Sequence, residues 1–298
     1  MAQNPIIFDR RLLRARRARA AALGPATFLL EQVADDLAER LSAVLRRFDL
    51  AVDLGAPGEV VGRRLENLVG AIVTVDALAA PNVSGALPKI IADIEALPFR
   101  DGSLDLVVSA LTLQFVNDLP GTLVQIRRAL KPDGLFLAAL VGGQSLAELR
   151  EAFAVAETEI EGGVSPRVAP FADLRELGAL LQRAGFALPV TDSDRIIVRY
   201  ASPLVLMHDL RRMGATNALV ERRRTPLRRA TLRRMMEIYG ERFADADGRI
   251  RATFEIVWLS GWAPHAGQQQ PLAPGSAKMR LADVLGTREV PAGEKAKR

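Results

Sequence analysis

The 298-residue chain contains no cysteine, which excludes disulfides, thiolate nucleophiles and cysteine-ligated zinc or iron–sulfur sites. Its two histidines, His208 and His265, lie far apart and lack the spacing of metal ligands, so no metal site is expected. No uncharged apolar run approaches the roughly 20 residues that a membrane-spanning helix needs. With 49% hydrophobic residues, the chain is expected to be globular, with one large domain and some elaboration.

Lysine is also scarce, because five of the 40 basic residues are lysines and the other 35 are arginines. The arginines are concentrated in residues 10–19 and 211–234. Guanidinium forks bind phosphate and carboxylate well, so these clusters indicate an acidic protein or an anionic surface, including peripheral membrane association. Solvated helix faces are the alternative interpretation. Nucleic acid is the least favoured partner, because no aromatic residues are interleaved for base stacking.

Apolar runs alternate with helical periodicity after residue 49, which predicts a parallel sheet covered on both faces. The predicted strands are Leu50 to Leu54, Ala71 to Val75, Lys89 to Ala92, Leu104 to Ala110, Leu135 to Val141, part of Gly185 to Tyr200, and Arg251 to Trp262. The predicted helices are Ile6 to Leu23, Thr27 to Phe48, Gly58 to Val69, Leu119 to Leu130, Ser145 to Glu161 and Pro170 to Ala184.

This pattern divides the chain into three parts. Residues 1–48 form a helical segment, 49–262 the α/β domain, and 263–298 an extension with a polar tail. The α/β domain carries a helical, arginine-rich insertion at about 202–240.

Acidic residues follow three successive strands of the predicted sheet. Ligands bind at the carboxyl ends of parallel strands, so Asp76 could accept from a ribose, Asp93 from an adenine amino group, and Asp53 could position the turn or a ligand ammonium. Any one of them alone could simply form a turn. The predicted ligand-binding set at this edge is Asp53, Gly55, Gly58, Asp76, Ala77, Asp93, Ile94 and Ser109.

The turn after the first strand is irregular for a ligand site. Pro57 has no N–H to offer, and Glu59 introduces a side chain and a negative charge where a ligand would approach the backbone. Three outcomes are therefore open: weak binding of the ligand, its displacement, or an outward orientation of Glu59.

Several motifs resemble those of class I S-adenosylmethionine-dependent methyltransferases: Asp53-Leu-Gly, Asp76, Asp93-Ile-Glu-Ala-Leu-Pro-Phe99, the run from Phe99 to Ser109, and Leu130-Lys-Pro-Asp-Gly134. Within that superfamily, the chain resembles the respiratory complex I assembly factor 5 family most, and the malonyl-acyl-carrier-protein methyltransferases of biotin synthesis next. The motifs of the first family are Phe8-Asp9-Arg10, Val116 to Pro120, Ala156 to Gly163, Ser165-Pro166, Ala184 to Phe186 and Gly261-Trp262.

The resemblance implies a Rossmann-like, seven-stranded, mostly parallel sheet whose last strand is antiparallel. It also implies S-adenosylmethionine as cofactor and a protein substrate, such as a complex I subunit or another acidic protein. The assembly-factor family modifies an arginine, by hydroxylation and not by methylation. Because Phe8-Asp9-Arg10 resembles the start of the family's domain, the arginine-rich first helix is interpreted as part of the fold and not as a mitochondrial presequence, which favours a bacterial, cytoplasmic protein.

The resemblance also indicates which side chains face the substrate, namely Gln114, Asn117, Arg10 and Tyr200, while no catalytic base is assigned. Two alternatives to a protein-modifying enzyme stay open. One is a non-catalytic assembly chaperone with a degenerate cofactor site, and the other is a carrier-protein carboxyl O-methyltransferase.

Overall fold

A computed structural model describes residues 6–78, 87–268, 279 and 281–288. The chain divides into two units, Met1–Pro264 and His265–Arg298. The first unit contains the sheet and helices α1 to α8. The second contains one short described helix, α9 (Leu281–Leu285). The boundaries of the three parts named above stay predictions.

The first unit is built on one seven-stranded sheet with the order β3-β2-β1-β4-β5-β7-β6. The strands are β1 (Leu50–Leu54), β2 (Ala71–Asp76), β3 (Lys89–Ile91), β4 (Leu104–Ala110), β5 (Leu130–Val141), β6 (Ala187–Tyr200) and β7 (Ile250–Trp262). Strands β1 to β5 run parallel, whereas β7 is antiparallel to both β5 and β6. The predicted Rossmann-like fold is therefore confirmed.

The central strands are apolar because helices cover both faces of the sheet. In β1, Val52 pairs with Val73 on one side and with Val107 on the other, and it is 1% exposed. This register brings the carboxyl ends of β1, β2 and β4 to one edge. The strand order reverses between β1 and β4, and such a switch point leaves a crevice for a ligand.

The helices of the first unit are α1 (Arg10–Ala22), α2 (Phe28–Ser42), α3 (Val60–Leu65), α4 (Leu119–Ala129), α5 (Ala147–Glu161), α6 (Leu174–Arg183), α7 (Pro203–Arg212) and α8 (Arg229–Phe243), with a 3-10 helix at Leu113–Phe115. Among the described residues, no helix has the length and apolar character needed to cross a membrane.

Helices α2 and α3 end earlier than their periodicity predicts, and α1 and α6 each begin four residues later than predicted. Helix α2 ends at Ser42, and Leu45, predicted on its apolar face, is fully exposed. The chain has to turn there so that Phe48 can enter the core before β1 begins. Helix α3 ends at Leu65, because the chain then turns through Gly70, whose amide donates to Phe48 O at 2.8 Å.

Helix α1 is packed into the first unit. Its N-cap, Asp9, accepts from Leu12 N at 3.0 Å, while the Asp9 amide donates to Ala218 O at 2.8 Å. Phe8 bridges to Leu219, so the segment before α1 is joined to the chain that follows α7. The arginine-rich helix thus belongs to the folded body, as the resemblance implies.

Candidate functional site

The turn after β1 brings backbone into the crevice at the switch point. Gly55 has φ +81, and a Cβ added to it would lie 2.5 Å from Thr112 Cγ2. The Gly55 amide donates to Val75 O at 2.7 Å, and Thr112 Oγ1 donates to Gly55 O at 2.9 Å. Only glycine fits this position without displacing Thr112, so the left-handed turn can pack closely against the chain that follows β4.

Glu59 is directed away from the turn. Its Oε2 lies 2.8 Å from Arg63 Nη2, and its Oε1 accepts from Leu87 N at 3.0 Å. Pro57 and Gly58 line the cavity described below, whereas Glu59 does not. Of the three outcomes left open by the sequence, the structure therefore shows the outward orientation of the glutamate.

Asp53 is buried beneath this turn. It is 1% exposed, and neither of its carboxylate oxygens has a hydrogen-bond partner among the described residues. Burial, with a smaller contribution from the nearby charge of Asp76, raises the pKa of Asp53 to about 8. Asp53 is therefore mostly protonated at neutral pH, and a nearby cation would favour its ionised form.

Asp76, at the end of β2, lines the cavity. Its Oδ1 accepts from Leu78 N at 3.2 Å. Two cations lie near it, with Arg17 Nη1 at 3.8 Å and Lys89 Nζ at 3.8 Å. The carboxylate is thus held in place with lone pairs still available for hydroxyl donors.

Asp93 is engaged by helix α1. Partial burial by itself would raise the pKa of Asp93, but hydrogen bonds from Arg10 and from the Glu95 amide lower the pKa below its ordinary value. The next residue is Ile94, and its Cγ2 lies 3.3 Å from the position that a Cβ on Gly55 would take. Neither Asp93 nor Ile94 lines the cavity.

A cavity of about 560 Å³ opens between helix α1 and this edge of the sheet. That volume is in the range of small-molecule sites. Its polar and charged lining residues include Arg17, Asp76, Lys89, Gln114 and Arg212.

A second cavity of about 460 Å³ adjoins the first and is mainly apolar. Phe115, Leu146, Phe171, Leu210 and Ala215 line both cavities. The two cavities therefore share walls, an arrangement that suits a cofactor in one and an acceptor group in the other.

The four residues predicted to face the substrate take different positions. Gln114 lines the first cavity, with Nε2 donating to Leu111 O at 2.8 Å and a buried Oε1 that has no described partner. Asn117 Oδ1 accepts from the amides of Ile7 and Phe8, at 2.9 and 2.8 Å, and so holds the segment before α1. These roles toward a substrate stay predictions.

Tyr200 packs in the core cluster and is 5% exposed. Its hydroxyl has no described partner, and burial raises its pKa to about 12. Ser109 is also buried and donates to Leu54 O at 2.8 Å, which ties β4 to β1. Ala77 lies between Asp76 and Leu78 but does not line the cavity. Their predicted roles likewise stay predictions.

The sequence analysis did not single out Arg17, Lys89 or Phe171 as site residues. Arg17 is one of six arginines in residues 10–19, and composition alone does not distinguish it from the other five. The available signal was helical spacing, because Arg17 precedes the buried Ala20 by three residues and so lies on the inward face of α1.

Comparison with known proteins agrees with this geometry. A family model described as "Methyltransferase domain" matches residues 52–138, which include most of β1, all of β2, β3 and β4, and most of β5. The mitochondrial arginine-hydroxylase NDUFAF5 of Danio rerio is 36% identical over 296 residues, covering 95% of this chain and 90% of that protein. The protein of the same name from Mus musculus is 40% identical over 299 residues, covering 97% and 87%. The chain belongs to the class I S-adenosylmethionine-dependent methyltransferase family.

A second group of relatives leads to the same family. A malonyl-[acyl-carrier protein] O-methyltransferase of Laribacter hongkongensis is 33% identical over 286 residues, covering 90% of this chain and 94% of that protein. Among solved structures, a putative methyltransferase from Bacillus halodurans aligns with a TM-score of 0.53 and 14% identity, covering 78% of this chain and 99% of that one. The structural likeness supports the fold.

The family's cofactor is S-adenosylmethionine, and the residues present fit it. Gly58 lines the cavity without a side chain, Asp76 can accept from the ribose hydroxyls, and the unpartnered Asp53 suits a nearby cation. The outward Glu59 removes the charge conflict that the sequence indicated. Among the described residues, no group of histidine or acidic side chains could hold a metal ion.

Proposed function

We propose that this protein uses S-adenosylmethionine to modify a protein substrate. The observation that carries the proposal is the pair of adjoining cavities at the carboxyl edge of the sheet, one lined by Gly58 and Asp76 and the other mainly apolar. The names of the curated relatives support this proposal, because one group is named as arginine-hydroxylases and the other as methyltransferases of a malonyl-acyl carrier protein. The resemblance to the complex I assembly factor 5 family favours a complex I subunit.

When bound, the cofactor supplies a methyl group on a sulfonium, which needs little activation beyond correct alignment with an acceptor nucleophile. The protein's own residues would bind and orient the two partners. Gln114, with its unpartnered Oε1 at the first cavity, is placed to accept a hydrogen bond from an acceptor N–H or O–H. Phe115 and Phe171, shared by both cavities, would exclude water from the space between them.

The test of this proposal has two stages. The first is calorimetric titration of the full chain with S-adenosylmethionine and S-adenosylhomocysteine, where micromolar binding is expected. The second is intact-mass analysis of complex I subunits from cells with and without the gene. A subunit heavier by a methyl group would show methylation, and one heavier by an oxygen atom would show hydroxylation. Absence of cofactor binding, together with no mass change on any subunit, would favour the non-catalytic assembly chaperone with its degenerate cofactor site.

A carrier-protein carboxyl methyltransferase is a second candidate, favoured by exposed arginines. Helix α1 and the chain after α7 lie side by side, so the two arginine clusters of the sequence meet in the fold. Seven of these arginines are exposed, with no side-chain partner among the described residues: Arg11, Arg14, Arg19, Arg211, Arg224, Arg228 and Arg229. Methyl transfer from labelled cofactor to a malonyl-loaded acyl carrier protein would identify this activity.

We also propose a cytoplasmic location, as the sequence predicts. The packing of α1 supports the interpretation of this helix as part of the fold, because a targeting helix that is removed would not need the bonds that join residues 7–9 to residues 218–220.

A further inference from the structure

Arg17 reaches from helix α1 into the turn after β1. Its Nη2 donates to Gly55 O at 2.6 Å, and its Nη1 lies 3.8 Å from Asp76 Oδ1. The side chain is 17% exposed and lines the larger cavity. A positive charge thus stands at the point where the backbone turn and the acid at the end of β2 meet.

The turn itself has few donors for an anion. The Gly55 amide is committed to Val75 O at 2.7 Å, and Pro57 has no N–H. A turn with more glycines would offer more free amides to a ligand carboxylate. A donor from outside the turn would therefore be needed to stand in for these two positions, beside the Gly58 amide that remains at the cavity.

Two other cations line the same cavity: Arg212 is held away from the turn, and Lys89 lies beside the Asp76 carboxylate that Arg17 also approaches. Arg212 Nε donates to Gly24 O at 2.7 Å, and its Nη1 lies 3.6 Å from Asp209. Lys89 lies against Asp76 Oδ2, at 3.8 Å, and the lysine bears a point charge without a fork. Arg17 contacts the turn itself, and its Nε has no acceptor among the described residues. A guanidinium has five N–H groups, so Arg17 can keep its hydrogen bond to Gly55 O and still donate to a carboxylate.

The position of Arg17 is fixed by close packing of α1. Gly214, with φ +71, follows α7, and a Cβ added to it would lie 3.2 Å from both Cα and Cγ of Arg17. Ala20, one turn further along α1, is 5% exposed. The stem of the arginine is therefore placed by the fold and not by its own flexibility.

From this geometry we propose that Arg17 binds the α-carboxylate of the cofactor and so replaces the backbone donors that the turn lacks. The inference rests on the proposed use of this cavity by S-adenosylmethionine. Helix α1 is then part of the cofactor site, and the specificity conferred by Arg17 is for the amino-acid part of the ligand and not for its adenosine part.

The test compares two ligands by calorimetry with the full-length chain. S-Adenosylhomocysteine carries the carboxylate, whereas 5′-methylthioadenosine has the same adenosine and thioether without the amino-acid group. Hydrogen bonds to charged groups stabilise by about 1.5–3 kcal/mol, so Arg17→Ala is expected to weaken binding of S-adenosylhomocysteine by about 10-fold to 100-fold. Binding of 5′-methylthioadenosine should change by less than about twofold.

The matched control is Arg19→Ala, on the same helix. Arg19 is exposed and its side chain has no partner among the described residues, so both affinities should stay as in the native chain. Arg17→Lys keeps the charge without the fork, and we expect a smaller loss for S-adenosylhomocysteine alone. It also keeps the test valid if Arg17→Ala lowers the melting temperature too far.

Three outcomes would overturn the inference. Equal losses for the two ligands would show that Arg17 supports the pocket as a whole. Tighter binding of both ligands by Arg17→Ala would show that the guanidinium blocks the cavity. No change for either would show that the carboxylate binds elsewhere. If the native chain bound neither ligand, the proposed function itself would fail, and that result differs from all three.

Discussion

The Glu59 carboxylate is paired with the Arg63 guanidinium one helical turn away, at 2.8 Å between Oε2 and Nη2. The pair holds the acid at the outer side of the turn, where its other oxygen caps the Leu87 amide. A negative charge that the sequence places beside the cofactor turn is therefore neutralised by its own helix. The irregular turn is thus compatible with cofactor binding.

The first prediction follows from this pair. Glu59→Ala should change the affinity for S-adenosylhomocysteine by less than about twofold, because the carboxylate does not face the cavity. Loss of the exposed i,i+4 pair and of the hydrogen bond from the Leu87 amide should destabilise the protein by about 1–2 kcal/mol. Calorimetry and thermal unfolding measure the two effects. Glu66→Ala, which removes the other partner of Arg63, is the control, and a tenfold gain in affinity in Glu59→Ala alone would contradict the prediction.

The second prediction concerns the close approach at Gly55. Gly55→Ala would force an alanine into a left-handed conformation and bring its Cβ against Thr112, at a cost of about 2–4 kcal/mol in stability. The shifted backbone should also weaken cofactor binding by at least about tenfold. The control is Gly163→Ala, since nothing lies within 4 Å of a Cβ at that exposed position. If Gly55→Ala and Gly163→Ala had the same melting temperature and the same cofactor affinity, the turn would tolerate a side chain.

Most of the fold was predictable, because buried parallel strands appear in the sequence as short apolar runs between helices. The bounds of β4 match the structure, and those of β1 do as well. The ends of α2 and α3 were not predictable from periodicity, since tertiary packing of Phe48 and Gly70 sets them. Local pattern carries no information about such contacts.

The candidate site was only partly predictable for a similar reason. The acids at the strand ends could be read from the sequence, because topology alone places Asp53 and Asp76 together. The orientation of Glu59 and the reach of Arg17 depend on side-chain partners, such as Arg63 and Gly55, that no spacing rule connects to a cofactor turn. Contacts between α1 and the sheet edge could be identified only in the folded structure.

The third prediction uses the raised pKa of Asp53. The folded-state pKa is about 8, against an ordinary aspartate value of 3.8, so between these values the native chain holds a proton that the unfolded chain has released. Stability from this group is therefore lost as pH rises, with a slope of up to about 1.4 kcal/mol per pH unit. Asp53→Asn cannot ionise, so the variant should gain stability relative to the native chain from pH 5 to pH 8.

Denaturant unfolding at several pH values measures the difference in stability between Asp53→Asn and the native chain. The contributions of titratable groups that both proteins share cancel in this difference. The control is Asp49→Asn, because Asp49 is an exposed carboxyl shortly before β1. Its stability difference from the native chain should stay constant over the same range. Parallel stability curves for Asp53→Asn and the native chain would show that Asp53 is already ionised in the fold.

The fourth prediction links the same carboxyl to the cofactor. S-Adenosylmethionine carries a sulfonium and an ammonium against one carboxylate, so its binding at the turn brings net positive charge close to Asp53. That charge favours the ionised form, and the pKa of Asp53 should fall from about 8 when the cofactor binds. Binding near pH 7 should therefore release up to about one proton, and affinity should rise between pH 6 and pH 8.

Calorimetry in two buffers of different ionisation enthalpy counts the released protons. The native chain should show a buffer-dependent binding enthalpy at pH 7, whereas Asp53→Asn, which has no proton to lose, should not. At pH 9 the native carboxyl is already mostly ionised, so the release should decline there as well. Proton uptake on binding, or equal release by the two proteins, would mean that the cofactor's charge does not act on Asp53, and the buried acid would then have a structural role only.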